Sequence, residues 1–189
     1  PERSDEIFLA HCAISPLYRG GAEAVKQFAD RMSSGGISAL PEYFDVMPTF
    51  HQQYGRFLQT SSKNISYVHN TAEALCQIAN GYPFEPGDQI ISYIHEYPSN
   101  HYPWVLQQKR GVELLLLADS DPGNSSDDSS KPRGWSMEEL QSLTTKRTRI
   151  IAISHVQFSS GYAADLKELG IYCKKHNIDL IVDCAQSLG

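Results

Sequence analysis

Apolar residues recur along the chain in two rhythms that alternate. Ala22, Val25, Ala29 and Met32 fall three or four apart, the spacing of one helix face, and Gly35-Gly36 follows as a stop. Pro41 to Gln59 reads as helical with a break at Pro48. Ile65 to Val68 reads as a short strand, and Asn70 as the cap of a helix running to about Asn80, with Gly81 just past its end. Pro86-Gly87-Asp88 is a turn before a strand from Gln89 to Ile94. Pro103 suits the first turn of a helix that ends near Gly111, and Val112 to Leu117 reads as a buried strand. Ser136-Met137-Glu138-Glu139 is a capping box for a short helix. Arg149 to Ser154 is a strand, Leu166, Leu169 and Cys173 line a helix ending near Asn177, and Ile178 to Val182 is the last strand.

Alternation of apolar strands with helices predicts an α/β fold, a mostly parallel sheet with helices on both faces. In such sheets ligands sit beyond the carboxyl ends of the strands. The informative residues are therefore those after each strand: His69-Asn70-Thr71-Ala72-Glu73, His95-Glu96-Tyr97-Pro98-Ser99-Asn100, His155-Val156-Gln157-Phe158 and Asp183-Cys184-Ala185-Gln186. Polar, aromatic and hydroxyl side chains gather there, as a ligand crevice requires.

Composition narrows the classes. The 189 residues are 41% hydrophobic and 20% charged, an ordinary globular balance. A formal net charge of −6 speaks against a broad basic surface for nucleic acid. No apolar run approaches a membrane span and the N-terminus has no apolar leader core, so neither a membrane nor a nucleic acid is expected as a partner. Cys12, Cys76, Cys173 and Cys184 match no metal or CxxC spacing, and reduced thiols in a cytoplasmic protein are expected. Asp119 to Gly134, rich in Ser, Asp, Gly and Pro, is expected to be a mobile loop. The chain starts at Pro1 rather than Met and ends at Gly189 just after a strand, so it reads as part of a longer protein.

Each strand end carries two readings. Asn70-Thr71-Ala72-Glu73 opens a helix whose free N–H groups suit a phosphate, and it is also a capping box. Asp183, at the end of an apolar strand, either caps the next helix or faces a cationic nitrogen of a ligand, with Gln186 near a ligand oxygen. Tyr97 is either rim packing or a flat face for a ring. His155 and Gln157 line the same crevice. His95, Glu96 and His101 fit no metal-binding spacing, and no metal is expected.

In order along the chain, HCAISP (11–16), NTAEAL (70–75), PGDQII (86–91), EYPSNHYPW (96–104), SHVQFSSG (154–161) and DCAQ (183–186) resemble the class V aminotransferase-like group of pyridoxal-phosphate (PLP) enzymes. That group includes cysteine-desulfurase-like, kynureninase-like and isopenicillin-N-epimerase-like proteins. The resemblance implies the large domain of a fold-type I PLP enzyme, cut before its lysine-bearing part. It implies residues 1–60 as an N-terminal segment contributing helices to the large or small domain, and 61–189 as an incomplete PLP-binding large domain. It assigns the cofactor phosphate to Thr71 and Ala72, ring stacking to Tyr97, the ring nitrogen to Asp183, and the place beside the ring oxygen to Gln186; Asn70 and Gln157 complete the expected cofactor-binding set. Asp183 and Tyr97 are the catalytic candidates.

The implied activity is that of a PLP-dependent enzyme on an amino-acid substrate: transamination, epimerisation, or elimination and cleavage. A homodimer is the implied assembly. Tyr97 stands where many desulfurases carry histidine, which favours the epimerase-like or kynureninase-like branch. Phe158 stands where some relatives carry asparagine. No lysine follows Asp183, so the Schiff-base lysine is not in this chain. The alternative is therefore a catalytically inactive fragment of the same fold acting in binding or assembly.

Overall fold

The computed structural model describes residues 7–10, 13–119 and 133–188. The loop expected at Asp119–Gly134, like His11 and Cys12 of the first motif, falls almost wholly outside the described residues. The chain divides into two compact units, Pro1–Val68 and His69–Gly189.

The first unit is helical. Helix α1 (Arg19–Gly35) runs into a 3₁₀ stretch, Gly36–Tyr43, and α2 (Val46–Phe57) into a second, Ser62–Asn64. Pro48 does not break α2. It occupies the third position of the first turn, where no backbone N–H has an intrahelical partner, so the missing donor costs nothing. The discontinuity lies at Phe44-Asp45 instead. Only Ala39 and Gly55 of this unit's described residues are buried, and its aromatic pairs, Phe28 with Tyr43 and Phe50 with Tyr54, lie at centroid distances of 4.9 and 4.4 Å. Ile65–Val68 is extended but joins no ladder, because no described strand offers it a partner. The strand expected there is absent.

The second unit is a parallel α/β layer. Strands β1 (Gln89–Tyr93), β2 (Glu113–Leu117), β3 (Thr148–Ser154) and β4 (Asp179–Asp183) lie in the order β2-β1-β3-β4. All pairings are parallel, and the last residues of β3 and β4, Ser154 and Asp183, are in register. Chain order reverses between β1 and β3, the switch point at which open α/β sheets form their crevice.

Period-two alternation divides the strands between two cores. Ile90, Ile150 and Ala152 pack with Leu75 and Ala79 of α3 (Thr71–Gly81) and Trp104 of α4 (Pro98–Val105). Ile91, Ile151 and Ile153 pack on the opposite face with Leu140 of α5 (Met137–Leu143) and Leu169 and Cys173 of α6 (Leu166–His176). The helices thus cover both faces, as the run of apolar strand residues requires.

Local signals explain most boundaries. Asn177 ends α6 in the left-handed conformation, and Ser136 accepts the Glu139 N–H to start α5. Two expectations fail. Pro98, not Pro103, opens α4; Pro103 lies inside, and the helix tightens into a 3₁₀ turn at Leu106–Arg110. Val112–Leu117 is not a buried strand: β2 is an edge of the described sheet, and Glu113 to Leu116 range from exposed to half-buried.

Candidate functional site

Helix α3 aims its start at the carboxyl edge of the sheet. At its far end, the Tyr82 hydroxyl donates to Asp179, the first residue of β4, at 2.7 Å. Arg110, just before β2, donates to the carbonyls of Ala79 and Tyr82. The end of α3 therefore sits at the amino edge. Eleven helical residues cover about 16 Å, and a five-residue strand about the same. Leu75 and Ala79 keep α3 against the sheet along that length. Asn70, Thr71 and Ala72 consequently reach the level of the strands' carboxyl ends.

The side of the sheet follows from alternation. Ile181 packs into the α3 core, and Asp179 meets Tyr82 from the same side. Asp183, two residues beyond Ile181, projects to that side as well. Thr71 and Asp183 thus share one face and one edge, and the carboxylate is the end of a chain of packing that begins at the helix.

The start of α3 is half a capping box. Asn70 Oδ1 accepts the Glu73 N–H at 2.9 Å, but the Glu73 carboxylate reaches back one residue further than expected, to the His69 N–H at 2.9 Å and its Nδ1 at 2.8 Å. That backbone donor, then the His69 side chain, holds the Glu73 carboxyl below its ordinary value of 4.5. The N–H groups of Thr71 and Ala72 take no partner among the described residues, and the helix dipole adds to them.

Asp183 is half-buried; its Oδ1 accepts the Ala185 N–H at 2.9 Å, and Oδ2 has no protein partner among the described residues. Beside it, His155 donates its N–H to the Asp183 carbonyl and brings Nδ1 to 2.9 Å from Ser187 Oγ. Gln186 is half-buried in the turn that follows.

Tyr97 caps α4 and is 48% exposed, its ring edge-to-face with Phe158 at 5.1 Å. Gln157 is 1% exposed, with Nε2 on Glu96 at 2.7 Å and Oε1 buried without a partner. Gly161 makes that turn: at φ +73° it donates to the Gln157 carbonyl, a conformation other residues adopt only with strain.

Glu96 is the residue that reading along the chain missed. It is 6% exposed and ties the end of β1 to the end of β3. The signal was present, since a carboxylate closing an apolar strand must find donors, the rule applied to Asp183 and not to Glu96.

The donor set suits pyridoxal phosphate. Unpaired N–H groups at a helix start match a phosphate, a half-exposed aromatic matches a ring face, and a free carboxylate oxygen matches a pyridine N–H. Lys174 and Lys175 lie exposed in the last turn of α6, away from this edge.

Comparison with known proteins points the same way. A family profile described as Aminotransferase class-V matches residues 21–189. A probable cysteine desulfurase of Methanothermobacter thermautotrophicus is 25% identical over 193 residues, covering 100% of this chain and 46% of the relative. One from Pyrococcus abyssi is 30% identical over 138 residues, 70% of this chain and 31% of the relative. Among solved structures, the cysteine desulfurase CsdA of Escherichia coli superposes with a TM-score of 0.74 at 22% identity, covering 88% of this chain and 42% of that one. The cystine C–S lyase C-DES, in complex with its product cysteine persulfide, superposes with a TM-score of 0.74 at 18% identity, over 88% of this chain and 44% of its own. This chain spans about half the length of the curated relative that it matches over its whole length.

Proposed function

The chain belongs to the class-V aminotransferase family, and from that premise we propose that its second unit is the cofactor-binding part of a PLP-dependent enzyme acting on an amino acid. The observation that carries the proposal is the contact of Tyr82 with Asp179 together with the packing of Ile181 on the α3 core, which supports a shared face for the α3 start and Asp183 at the carboxyl edge.

In this reading the N–H groups of Thr71 and Ala72, with Asn70 holding the helix start, anchor the phosphate. Tyr97 offers its ring to one face of the pyridine, fixing its tilt. Asp183 Oδ2 would accept a hydrogen bond from the ring nitrogen and so hold a proton there. Gln157 and Gln186 would complete the ring-side contacts. When bound, pyridoxal phosphate supplies an electron sink for a substrate α-carbon. The chain's own part is to orient that ring and hold the proton on its nitrogen.

The curated relatives above carry the name of desulfurases, and the substrate class we propose is an amino acid. Tyr97 favours an epimerase-like or kynureninase-like branch, because it stands where many desulfurases carry a histidine that can move protons as well as stack. The same fold without turnover, acting in binding or assembly, is the reading left if the cofactor does not bind.

The test is a pyridoxal-phosphate titration of the full-length protein, followed by visible absorbance. Asp183→Ala should weaken binding and activity strongly. His176→Ala, an exposed change in the last turn of α6, should leave both unchanged. Equal effects of the two, or no binding by the unaltered protein, would overturn the assignment.

A further inference from the structure

Two consecutive residues leaving β1 meet two consecutive residues leaving β3, pair by pair. Glu96 meets Gln157 in the interior, and Tyr97 meets Phe158 at the surface. Both contacts bridge the strands between which chain order reverses.

The inner pair is the centre of a buried network. Glu96 Oε1 accepts the Ser154 N–H at 2.7 Å and Gln157 Nε2 at 2.7 Å, while Oε2 accepts Ser154 Oγ at 2.5 Å and Asn100 Nδ2 at 3.1 Å. Each oxygen thus receives two donors, and the donors come from β3, from the turn after it and from α4. Asn100 in turn accepts Trp104 Nε1 through Oδ1 at 3.1 Å, so its amide cannot turn round without a loss. A carboxylate this deeply buried persists only because its lone pairs are filled.

The network reaches the crevice by two routes. The Asn100 N–H donates to the Tyr97 carbonyl at 2.8 Å, which closes a loop from Glu96 through Asn100 and holds the backbone of Tyr97. Gln157 spends its amide nitrogen on Glu96, which leaves Oε1 unpartnered.

We propose that Glu96 is the positioning residue of this crevice: by gathering donors from Asn100, Ser154 and Gln157 it fixes the backbone of Tyr97, and the buried Gln157 turn behind it, in the place from which the Tyr97 ring meets a planar ligand. The proposal rests on the cofactor reading above and adds to it a residue that acts only through its neighbours.

The test compares the unaltered full-length protein with Glu96→Gln and Ser154→Ala in three measurements. These are the pyridoxal-phosphate dissociation constant, the visible circular dichroism of the saturated protein, and urea unfolding without the cofactor. A carboxamide at 96 puts an NH2 where two donors already point, so Asn100 must swing away or Gln157 must turn its amide over. Glu96→Gln should weaken binding about tenfold or more, on the scale of a lost charge-assisted hydrogen bond. It should also change the dichroism of the saturated protein, which reports ring orientation. Ser154→Ala removes only the hydroxyl and should weaken binding by roughly threefold, in the same direction.

Wild-type affinity and dichroism in a destabilised Glu96→Gln protein would show a structural residue only and overturn the proposal. If Glu96→Gln does not fold, unchanged affinity and dichroism in Ser154→Ala would overturn it, and a shift in both would support it. No binding by the unaltered protein would overturn the cofactor reading and this one together; binding by it with insensitive variants would overturn this one alone.

Discussion

Replacing Asn70 by alanine removes the side-chain acceptor that starts α3 and nothing else that the helix needs. The bond lost is the Glu73 N–H to Asn70 Oδ1, 2.9 Å long and exposed. Loss of such a cap costs about 1 kcal/mol, within a range of about 0.5–2. The Glu73 carboxylate still holds His69 in this variant, so the cost stays near the centre of that range. With a urea dependence of about 1–3 kcal/mol/M, 1 kcal/mol lowers the unfolding midpoint by roughly 0.3–1 M. Asn70→Asp keeps the acceptor and should cost little, and Asn70→Gly only a few tenths of a kcal/mol. The same alanine variant should weaken pyridoxal-phosphate binding, because the N–H groups of Thr71 and Ala72 fray with the turn that carries them. The assay is urea unfolding by far-UV circular dichroism beside a cofactor titration. An unfolding midpoint unchanged in Asn70→Ala, or lowered as far in Asn70→Asp, would refute the argument that this cap fixes the helix start.

Two further outcomes are expected. Ile151→Ala, at a fully buried position of the central pair β1–β3, should cost about 2–5 kcal/mol in the same unfolding assay, and a cost below 1 kcal/mol would contradict the two-core description. Alkaline stability should fall as groups whose folded values are raised are forced to ionise, Tyr93 (raised by burial and its Asp119 hydrogen bond) together with Cys173 and Tyr82. Burial pushes the Cys173 thiol from 9.0 up to about 11, and burial with the Asp179 hydrogen bond pushes the Tyr82 phenol from 10.0 up to about 12. Both folded values are raised, so the stabilisation is complete below the unfolded values and is lost as pH climbs from about 9 to about 12. Tyr82→Phe should flatten the upper part of that loss, and an unchanged pH profile would argue against the burial and the Asp179 hydrogen bond that raise Tyr82.

Much of the site was legible along the chain because its residues sit where local rules place them. Asn70 precedes an apolar period and caps it, Asp183 closes an apolar strand, and Tyr97 follows another, so each could be named from its neighbours alone. The unread parts depend on partners distant in sequence. Pro48 and Pro103 were misplaced because whether a proline breaks or opens a helix depends on which turn it occupies, and flanking residues settle that by a margin smaller than packing energies. Ile65–Val68 carries strand-forming residues but no ladder, since a strand exists only when another pairs with it.

What the order of residues determined by itself is the alternation of helix and strand, the two-faced parallel sheet it demands, and the chemistry gathered at the strand ends. What only tertiary structure decided is the order of the strands, the direction of α3 across them, and the clasp of Glu96 on Ser154 and Gln157, residues 58 and 61 positions away. Periodicity and caps are short-range signals, written within a turn or two of the residue concerned. A buried carboxylate finds its donors by where the backbone has already been packed, and no local pattern carries that information.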